Sequence, residues 1–328
     1  MTRLDIIGVG IIGAGHIGAV HARAIALLPG IRLVASCRTD AAACAAFARD
    51  HGGAAYTDHR ALLADPAVDA VLIATPHHLH VDIAADAAAA GKAIMMEKPI
   101  APSLAECDRL LTATAGVIMM PGHTMRFTRA MRVARELLAR DVGPRFMTAT
   151  FAKRWMESNR RDWHLRPETG GGMLLTAGIH ALDRVLYLAG QPATHVSAVI
   201  GTRFHDQPAD DVAMLQLRFA DGSAAQIASV GMAGGAMVND TMAMTANSAV
   251  RVDFATGIRL GRGDVWETVP DSTEPDWAFR AIGRQWADLA AAMRGEAELP
   301  VTGAEGRHVI AVIAAAMRAA RSRCEEAI

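Results

Sequence analysis

Residues Gly13-Ala14-Gly15-His16-Ile17-Gly18 have the types and spacing to hold a pyrophosphate. They follow an apolar run, Leu4 to Ile12, and open an alanine-rich helical stretch, Ala19 to Leu28. In that setting the first glycine permits a tight turn and the second lets the backbone approach a phosphate. The third lets the helix pack close to the strand, with its N-terminal N–H groups aimed at the anion. Gly8-Val9-Gly10-Ile11-Ile12-Gly13 repeats the same G-x-G-x-x-G spacing. A helix begun there would carry Gly13, Gly15 and Gly18 in its first turns, each at a cost of about 1 kcal/mol relative to alanine. The later frame, with His16 and Ile17 completing the cradle, is therefore the reading adopted.

A dinucleotide site of this kind chooses its cofactor at the end of the second strand, here Ile31 to Ser36. Specificity for NAD places an acid there, roughly 20 residues past the last glycine, on the ribose 2′-hydroxyl. This chain has Ser36-Cys37-Arg38-Thr39, and Asp40 is the expected N-cap of the following helix. An arginine can pair with a 2′-phosphate, and Ser36 and Thr39 can donate hydrogen bonds to it. The expected cofactor is NADP(H), with NAD(H) the alternative if Arg38 is only a solvated loop residue.

The elements that must position these groups follow from pattern and length. At 328 residues the chain can form two domains. With 52% hydrophobic and 20% charged residues and a net charge of −1, it is neither disordered nor a general polyanion binder, so nucleic acid is not an expected partner. No uninterrupted apolar run reaches the ~18 residues of a membrane span. The N-terminus enters a strand almost at once, so no signal peptide is expected. Cys37, Cys44, Cys107 and Cys324 lack framework or metal-ligand spacing and read as reduced thiols of a cytoplasmic protein. The mean hydropathy of +0.19 hints at a buried subunit interface.

Residues 1–123 alternate strand-like and helix-like segments, with strands at Val68–Ala74, Ala93–Met96 and Val117–Met120 and a Ser103-capped helix from Leu104. That alternation predicts a doubly wound parallel sheet whose ligands bind at strand carboxyl ends. Residues 124–328 read differently. An amphipathic helix from Thr128 to Arg140 is followed by a strand at Phe146–Phe151 and a helix from about Met173 to Leu188. Strands at Ala213–Phe219, Ala224–Val230 and Val250–Phe254 precede two closing helices near Ala278–Met293 and Ala304–Arg323. The second half is thus expected to be an α+β domain with a large, mostly antiparallel open sheet.

Three segments stand at carboxyl ends of first-half strands: Thr75-Pro76-His77-His78-Leu79-His80, Glu97-Lys98-Pro99, and Gly122-His123-Thr124-Met125-Arg126. Further on, Gly170-Gly171-Gly172 leads to a helical histidine, His180. In this order they make the whole chain resemble the Gfo/Idh/MocA oxidoreductases, named for glucose–fructose oxidoreductase and inositol dehydrogenase. The resemblance implies a Rossmann domain for residues 1–123 and a substrate-binding and oligomerisation domain for 124–328. The latter often builds homodimers or homotetramers through its open sheet. It further implies hydride exchange between a nicotinamide and a carbinol or carbonyl carbon. Lys98 matches the family's catalytic lysine, in a Lys98–Pro99 bond that is often cis, and His180 matches its catalytic histidine. Thr75, Pro76, His77, His80 and Glu97 should line the cofactor.

The chemistry suits these types. Oxidising an alcohol removes a hydride and a proton from one carbon–oxygen unit. Histidine accepts a proton near neutral pH without tuning. A lysine ammonium at the same oxygen stabilises alkoxide charge and can relay the proton. Two departures stand out. Thr176 occupies the place where inositol-dehydrogenase-type members carry Asp, and His77 the place of a usual Asn. Thr176, His180 and Asp183 share a helix face by spacing. A threonine can orient an imidazole or bind a substrate hydroxyl, but it cannot raise the imidazole's pKa as a carboxylate would. Asp183 could do so or be structural. His77, His78 and His80 lack the carboxylate or cysteine that would complete a metal set, so no metal is expected.

The segment Lys153 to Arg166 holds five basic residues and two of the five tryptophans. It reads either as a solvated loop or as a lid in which Trp155 and Trp163 cover an apolar ring and arginines such as Arg161 meet a carboxylate. His123 and Arg126 are further substrate candidates. The first reading of function is an NADP(H)-preferring dehydrogenase or reductase of a small sugar, cyclitol or polyol, with Lys98 and His180 transferring the proton and Thr176 assisting. The alternatives are a dehydrogenase of a carboxylated cyclohexadiene cis-dihydrodiol and a non-catalytic cofactor-binding regulator.

Overall fold

The computed structural model describes residues 5–156 and 160–328, and the chain divides into two compact units. Leu4 in the first apolar run and Glu157, Ser158 and Asn159 in the basic segment lie outside the described residues. Unit one comprises residues 1–123 and 279–307. Unit two comprises 124–278 and 308–328. The sequence division assigned everything after 123 to the second domain. The difference lies in Phe279–Arg307, which returns to the first unit because its buried face, including Ile282, Trp286 and Leu289, packs there.

Unit one runs β1 (Ile7–Ile12), α1 (His16–Ile25), β2 (Ile31–Cys37), α2 (Ala41–His51), β3 (Ala54–Tyr56), α3 (His59–Leu63), β4 (Ala70–Ile73), α4 (His80–Ala89), β5 (Ala93–Glu97), α5 (Leu104–Ala113) and β6 (Met119–Gly122). The six strands pair in the order β3-β2-β1-β4-β5-β6, all parallel. β1 and β4 are buried at every position, as strands covered by helices on both faces must be. The helix starts have local causes. Asp40 accepts the Ala43 N–H, and Ser103 accepts the Glu106 N–H, each satisfying a donor left open in a first turn.

Unit two begins with α6 (Arg129–Ala139), capped by Thr128, and β7 (Phe146–Arg154). A π-helical turn, Leu174–Gly178, then runs into α7 (Ile179–Ala189). β8 (Ala193–Gly201), β9 (Val212–Phe219), β10 (Ala224–Met232), β11 (Val238–Met244), β12 (Ala249–Asp253), β13 (Gly257–Arg262) and β14 (Val265–Thr268) follow. The chain closes with α8 (Trp277–Met293), α9 (Gly303–Ser322) and β15 (Glu326–Ala327). The nine strands order as β14-β13-β12-β11-β7-β10-β9-β8-β15. Only the β7–β10 pairing is parallel. β9 shows why one face packs: Ala213, Leu215, Leu217 and Phe219 are buried, while Met214, Gln216 and Arg218 alternate outward. On the packed face α7 lies across β7, β10 and β11, and α6 lies across β12 and β13.

The π turn packs closely on the sheet. A Cβ on Gly178 would overlap the Ser229 hydroxyl and come within 2.6 Å of Ser229 Cβ. Glycine at 178 therefore sets how near this helix can approach β10. Single-turn π-bulges of this kind are frequent at functional sites.

Candidate active site

The cradle predicted from the glycines forms at the end of β1. Gly13 has φ +99°, and a Cβ there would collide with Ala74 O and lie 2.9 Å from Thr75 N, so the turn is pressed against the loop after β4. Its N–H and that of Ala14 donate to Cys37 O at 3.0 and 3.1 Å. α1 begins at His16 with Gly15 as its N-cap, which fixes the later glycine frame. A Cβ on Gly18 would lie 2.8 Å from Gly13 O and 3.1 Å from Ile11 Cγ2, the close helix–strand packing expected of the third glycine. Around Gly15 there is nothing within 4 Å of an added Cβ. Gly8 and Gly10 have a different task, since Cβ atoms there would strike Ala67 O and the Leu62 side chain.

These features fit a bound dinucleotide. The open space at Gly15 borders the exposed first turn of α1, with His16 and Ile17 at its surface. Thr75 Oγ1 is buried without a hydrogen-bond partner in the loop that touches Gly13. Arg38 and Thr39 are exposed, and Arg38 Nη1 lies 3.4 Å from Ala14 O, over the turn. Ser36 is a correction. It is fully buried with its hydroxyl 3.8 Å from Cys44 Sγ, because it lies on the side of β2 that α2 covers. It cannot join Arg38 at a 2′-phosphate.

The Glu97-Lys98-Pro99 turn ends β5 with a cis Lys98–Pro99 bond and a half-buried Lys98. Two buried histidines hold it. His21, on α1, places Nε2 3.1 Å from Glu97 Oε1, and the Lys98 peptide N–H donates to Glu97 Oε2 at 3.1 Å. Burial would raise the Glu97 carboxyl, but the His21 hydrogen bond, the Lys98 charge and the Lys98 N–H outweigh it and hold it below the usual range. Both Glu97 oxygens are thus engaged inside unit one. His80, on α4, lies with Nδ1 2.9 Å from Pro99 O and Nε2 2.9 Å from Thr75 O. Burial lowers its pKa against the pull of these carbonyls, so the neutral ring donates to one of them while packed between the two loops. His77 is buried beside it, ring centroids 5.7 Å apart, and Pro76 is half-buried. His123 is also buried, at 1% exposure.

In unit two the helix bearing Thr176 and His180 is anchored at its N-terminus by Asp210. Its Oδ2 accepts the Leu174 N–H at 2.8 Å and its carbonyl accepts the Met173 N–H at 2.8 Å. Gly172, at φ +103°, leaves room that a side chain would take from the Asp210 carboxylate. Thr176 and His180 are both half-buried, and the imidazole stands edge-on to Phe151 at 6.0 Å. Asp183 is engaged by an arginine. Its Oδ1 accepts from Arg126 Nε at 2.9 Å and Nη2 at 2.7 Å, in a pair only 5% and 1% exposed. Arg126, expected to face substrate, is thereby committed to fixing α7.

The aromatic lid is likewise corrected. Trp155 is fully buried in a cluster with Met173, Ala177, Phe151 and Leu165, and its indole N–H donates to Gln207 Oε1 at 2.8 Å. Arg160 packs over that ring at 3.7 Å and donates to Trp155 O at 2.9 Å. Trp163 is half-buried and stacks on His164 at 3.6 Å. Arg161 remains exposed. Asp210, His21 and Trp286 had no mark in the sequence, because each acts on a segment remote along the chain.

Asp210 gives this half a pH signature. Burial raises its carboxyl to about 6, with the Leu174 N–H opposing and the Asp211 charge adding. Below the ordinary carboxylate value of 3.8 the group is protonated in both folded and unfolded chains. As pH rises, the unfolded chain ionises first, so stability falls from about pH 4 until the folded carboxyl has ionised above about 6. Asp210→Asn removes this dependence. The melting-temperature difference between the native protein and Asp210→Asn should therefore shift in favour of the variant between pH 4 and pH 7, and a constant difference would refute the assignment.

Comparison with known proteins accounts for both halves. Residues 7–123 match the model of an oxidoreductase family with an NAD-binding Rossmann fold, and residues 132–249 match the GFO/IDH/MocA C-terminal domain. A 1,5-anhydro-D-fructose reductase of Ensifer adhaerens is 31% identical over 203 residues, 60% of this chain and 61% of that protein. A 1-carboxy-3-chloro-3,4-dihydroxycyclohexa-1,5-diene dehydrogenase of Comamonas testosteroni is 30% identical over 208 residues, 62% of this chain and 52% of that one. The matches thus span between half and two thirds of these relatives' lengths. A levoglucosan dehydrogenase solved in complex with NADH shares the fold, with a TM-score of 0.89 and 21% identity over 98% of this chain and 99% of that one. With a glycine cradle at β1, a braced Glu-Lys-Pro turn at β5 and family models matching both halves, the chain belongs to the GFO/IDH/MocA oxidoreductase family.

Proposed function

We propose that this protein exchanges a hydride between a nicotinamide dinucleotide and a carbinol or carbonyl carbon of a small hydroxylated substrate: a sugar, cyclitol or polyol. The observation that carries this reading is the open cradle at Gly15 in the same unit as the braced Lys98 turn. The names of relatives acting on anhydro-sugars support the substrate class. A bound nicotinamide would take or give the hydride. The chain's own residues handle the proton: His180 accepts it from the hydroxyl, Lys98 stabilises negative charge on that oxygen, and Thr176 orients the ring or the substrate.

Arg38 supports a preference for NADP(H), since its exposed guanidinium lies beside the turn and no acid stands at the end of β2. The Comamonas relative's name favours a second reading, oxidation of a carboxylated cyclohexadiene cis-dihydrodiol. Arg154, Arg161 and Arg166 are the exposed basic groups of the segment that can meet a carboxylate, whereas Arg160 is occupied on Trp155. Homo-oligomerisation through the outer face of the nine-stranded sheet is the partner reading. Val199, Met214 and Phe146 share that face and are 63%, 47% and 38% exposed.

Four measurements check these readings. With NADP⁺ or NAD⁺ and a panel of sugars, cyclitols and dihydrodiols, reduced-nicotinamide absorbance should rise for one class. Lys98→Met and His180→Ala should each lose about 10²–10⁴-fold in kcat while still binding cofactor. Cofactor binding without turnover on any substrate would favour a non-catalytic regulator. Arg38→Ala should weaken NADP⁺ about 10–100-fold and NAD⁺ far less, from the ~1.5–3 kcal/mol of a charge-assisted contact, and equal losses would remove Arg38 from the site. Light scattering should give a dimer or tetramer that Met214→Glu dissociates, whereas a native monomer would refute the sheet interface.

A further inference from the structure

The braced Lys98 turn continues into a chain of buried hydrogen bonds whose far end is a tryptophan. Trp286 Nε1–H, on α8, donates to His21 Nδ1 at 2.9 Å. His21 Nε2 faces Glu97 Oε1 at 3.1 Å, and Glu97 Oε2 accepts the Lys98 peptide N–H at 3.1 Å. Trp286 is 1% exposed and His21 0%, so water does not compete for these groups. The two rings meet edge-on at 84°.

The chemistry of the partners fixes where the protons are. An indole N–H is a donor only, so His21 Nδ1 must present its lone pair to Trp286. The single ring proton of neutral His21 therefore sits on Nε2 and is donated to Glu97. A second proton, on Nδ1, would point at the indole N–H and lose that hydrogen bond in a dry site. Neutral His21 is thus confined to one tautomer, with its proton aimed at the carboxylate that holds the Lys98 backbone. A histidine free to change tautomer would present a lone pair to Glu97 for part of the time, repelling it.

We propose that Trp286 and His21 are positioning residues for Lys98: the indole N–H fixes the His21 tautomer, His21 orients the Glu97 carboxylate, and Glu97 fixes the place and electrostatic surroundings of the Lys98 amine. Neither ring needs to touch substrate or cofactor. This rests on the reading that Lys98 takes part in proton transfer, and the test separates the two. It also explains why α8 returns to the first unit instead of remaining with the sheet that precedes it.

The test uses the full-length protein in two arms. In the first, ¹⁵N-histidine spectra report the His21 tautomer, and ¹³C-methylated lysine spectra report Lys98, neither needing a substrate. The neutral form of native His21 should be the Nε2–H tautomer alone, and Trp286→Phe, which keeps ring bulk but has no N–H, should let the Nδ1–H tautomer appear and should displace the Lys98 titration curve. In the second arm, Trp286→Phe should lower kcat about tenfold, below the ~10²–10⁴-fold carried by the proton transfer itself, with cofactor affinity changed less than twofold and the kcat–pH profile displaced. His21→Gln, whose amide can accept from Trp286 and donate to Glu97, should retain more activity than His21→Leu. A native His21 whose neutral form populates both tautomers, or a Lys98 curve unmoved in both Trp286→Phe and His21→Leu, would overturn the proposal. A fully active Lys98→Met with the expected spectra would instead overturn the assigned role of Lys98 and leave the hydrogen-bond chain standing.

Discussion

The bracing of the Glu97-Lys98-Pro99 turn is the constraint around which unit one is arranged. A turn at the end of a parallel strand has left its ladder, so its polar groups must find partners elsewhere. Here they come from three directions. His21 on α1 takes the Glu97 carboxylate, and His80 on α4 lies between Pro99 O and Thr75 O. Gly122 at the end of β6 completes the set, since a Cβ there would sit 2.8 Å from Met96 O and 3.2 Å from Glu97 Cα. The same packing ties the turn to the cofactor cradle: His80 holds Thr75, whose backbone N lies against Gly13. A displacement of either loop therefore strains both. Buried imidazoles suit this task because each offers two hydrogen-bonding atoms on one rigid ring.

Unit two solves a similar problem with charge and close approach. The helix carrying His180 is fixed at its start by Asp210, along its length by Gly178 against Ser229, and beyond His180 by the Arg126–Asp183 pair. A buried ion pair adds little net stability because desolvation offsets the attraction, yet removing one partner is costly. That asymmetry makes the pair a means of holding one geometry. Trp155 serves the same end from the sheet side, filling the space beneath Met173 and Ala177.

Much of the fold was legible because its signals are local. Asp40, Ser103 and Thr128 cap helices by reaching donors three residues away. Alternating burial in β9 is written directly in its residues. Elements such as β11, Val-Asn-Asp-Thr-Met-Ala-Met, have weak strand character of their own and become strands by pairing with β7 and β12. In the candidate site, the basic, Trp-bearing segment misled for a related reason. Composition shows that arginines and tryptophans are present, but not that Gln207 and the core claim Trp155, or that Trp155 claims Arg160.

The sequence by itself determined the glycine cradle, the strand–helix alternation and the family motifs, because these depend on spacings of a few residues and on backbone sterics that operate within one turn. Tertiary structure decided which polar groups are available. Arg38 and Arg161 are exposed, whereas Ser36, Arg126 and Asp183 are spent on partners from other elements. It also joined Trp286 to His21 across 265 positions. A buried hydrogen bond is worth its desolvation only if its partner arrives, and that depends on how the whole chain packs rather than on the neighbours of either residue.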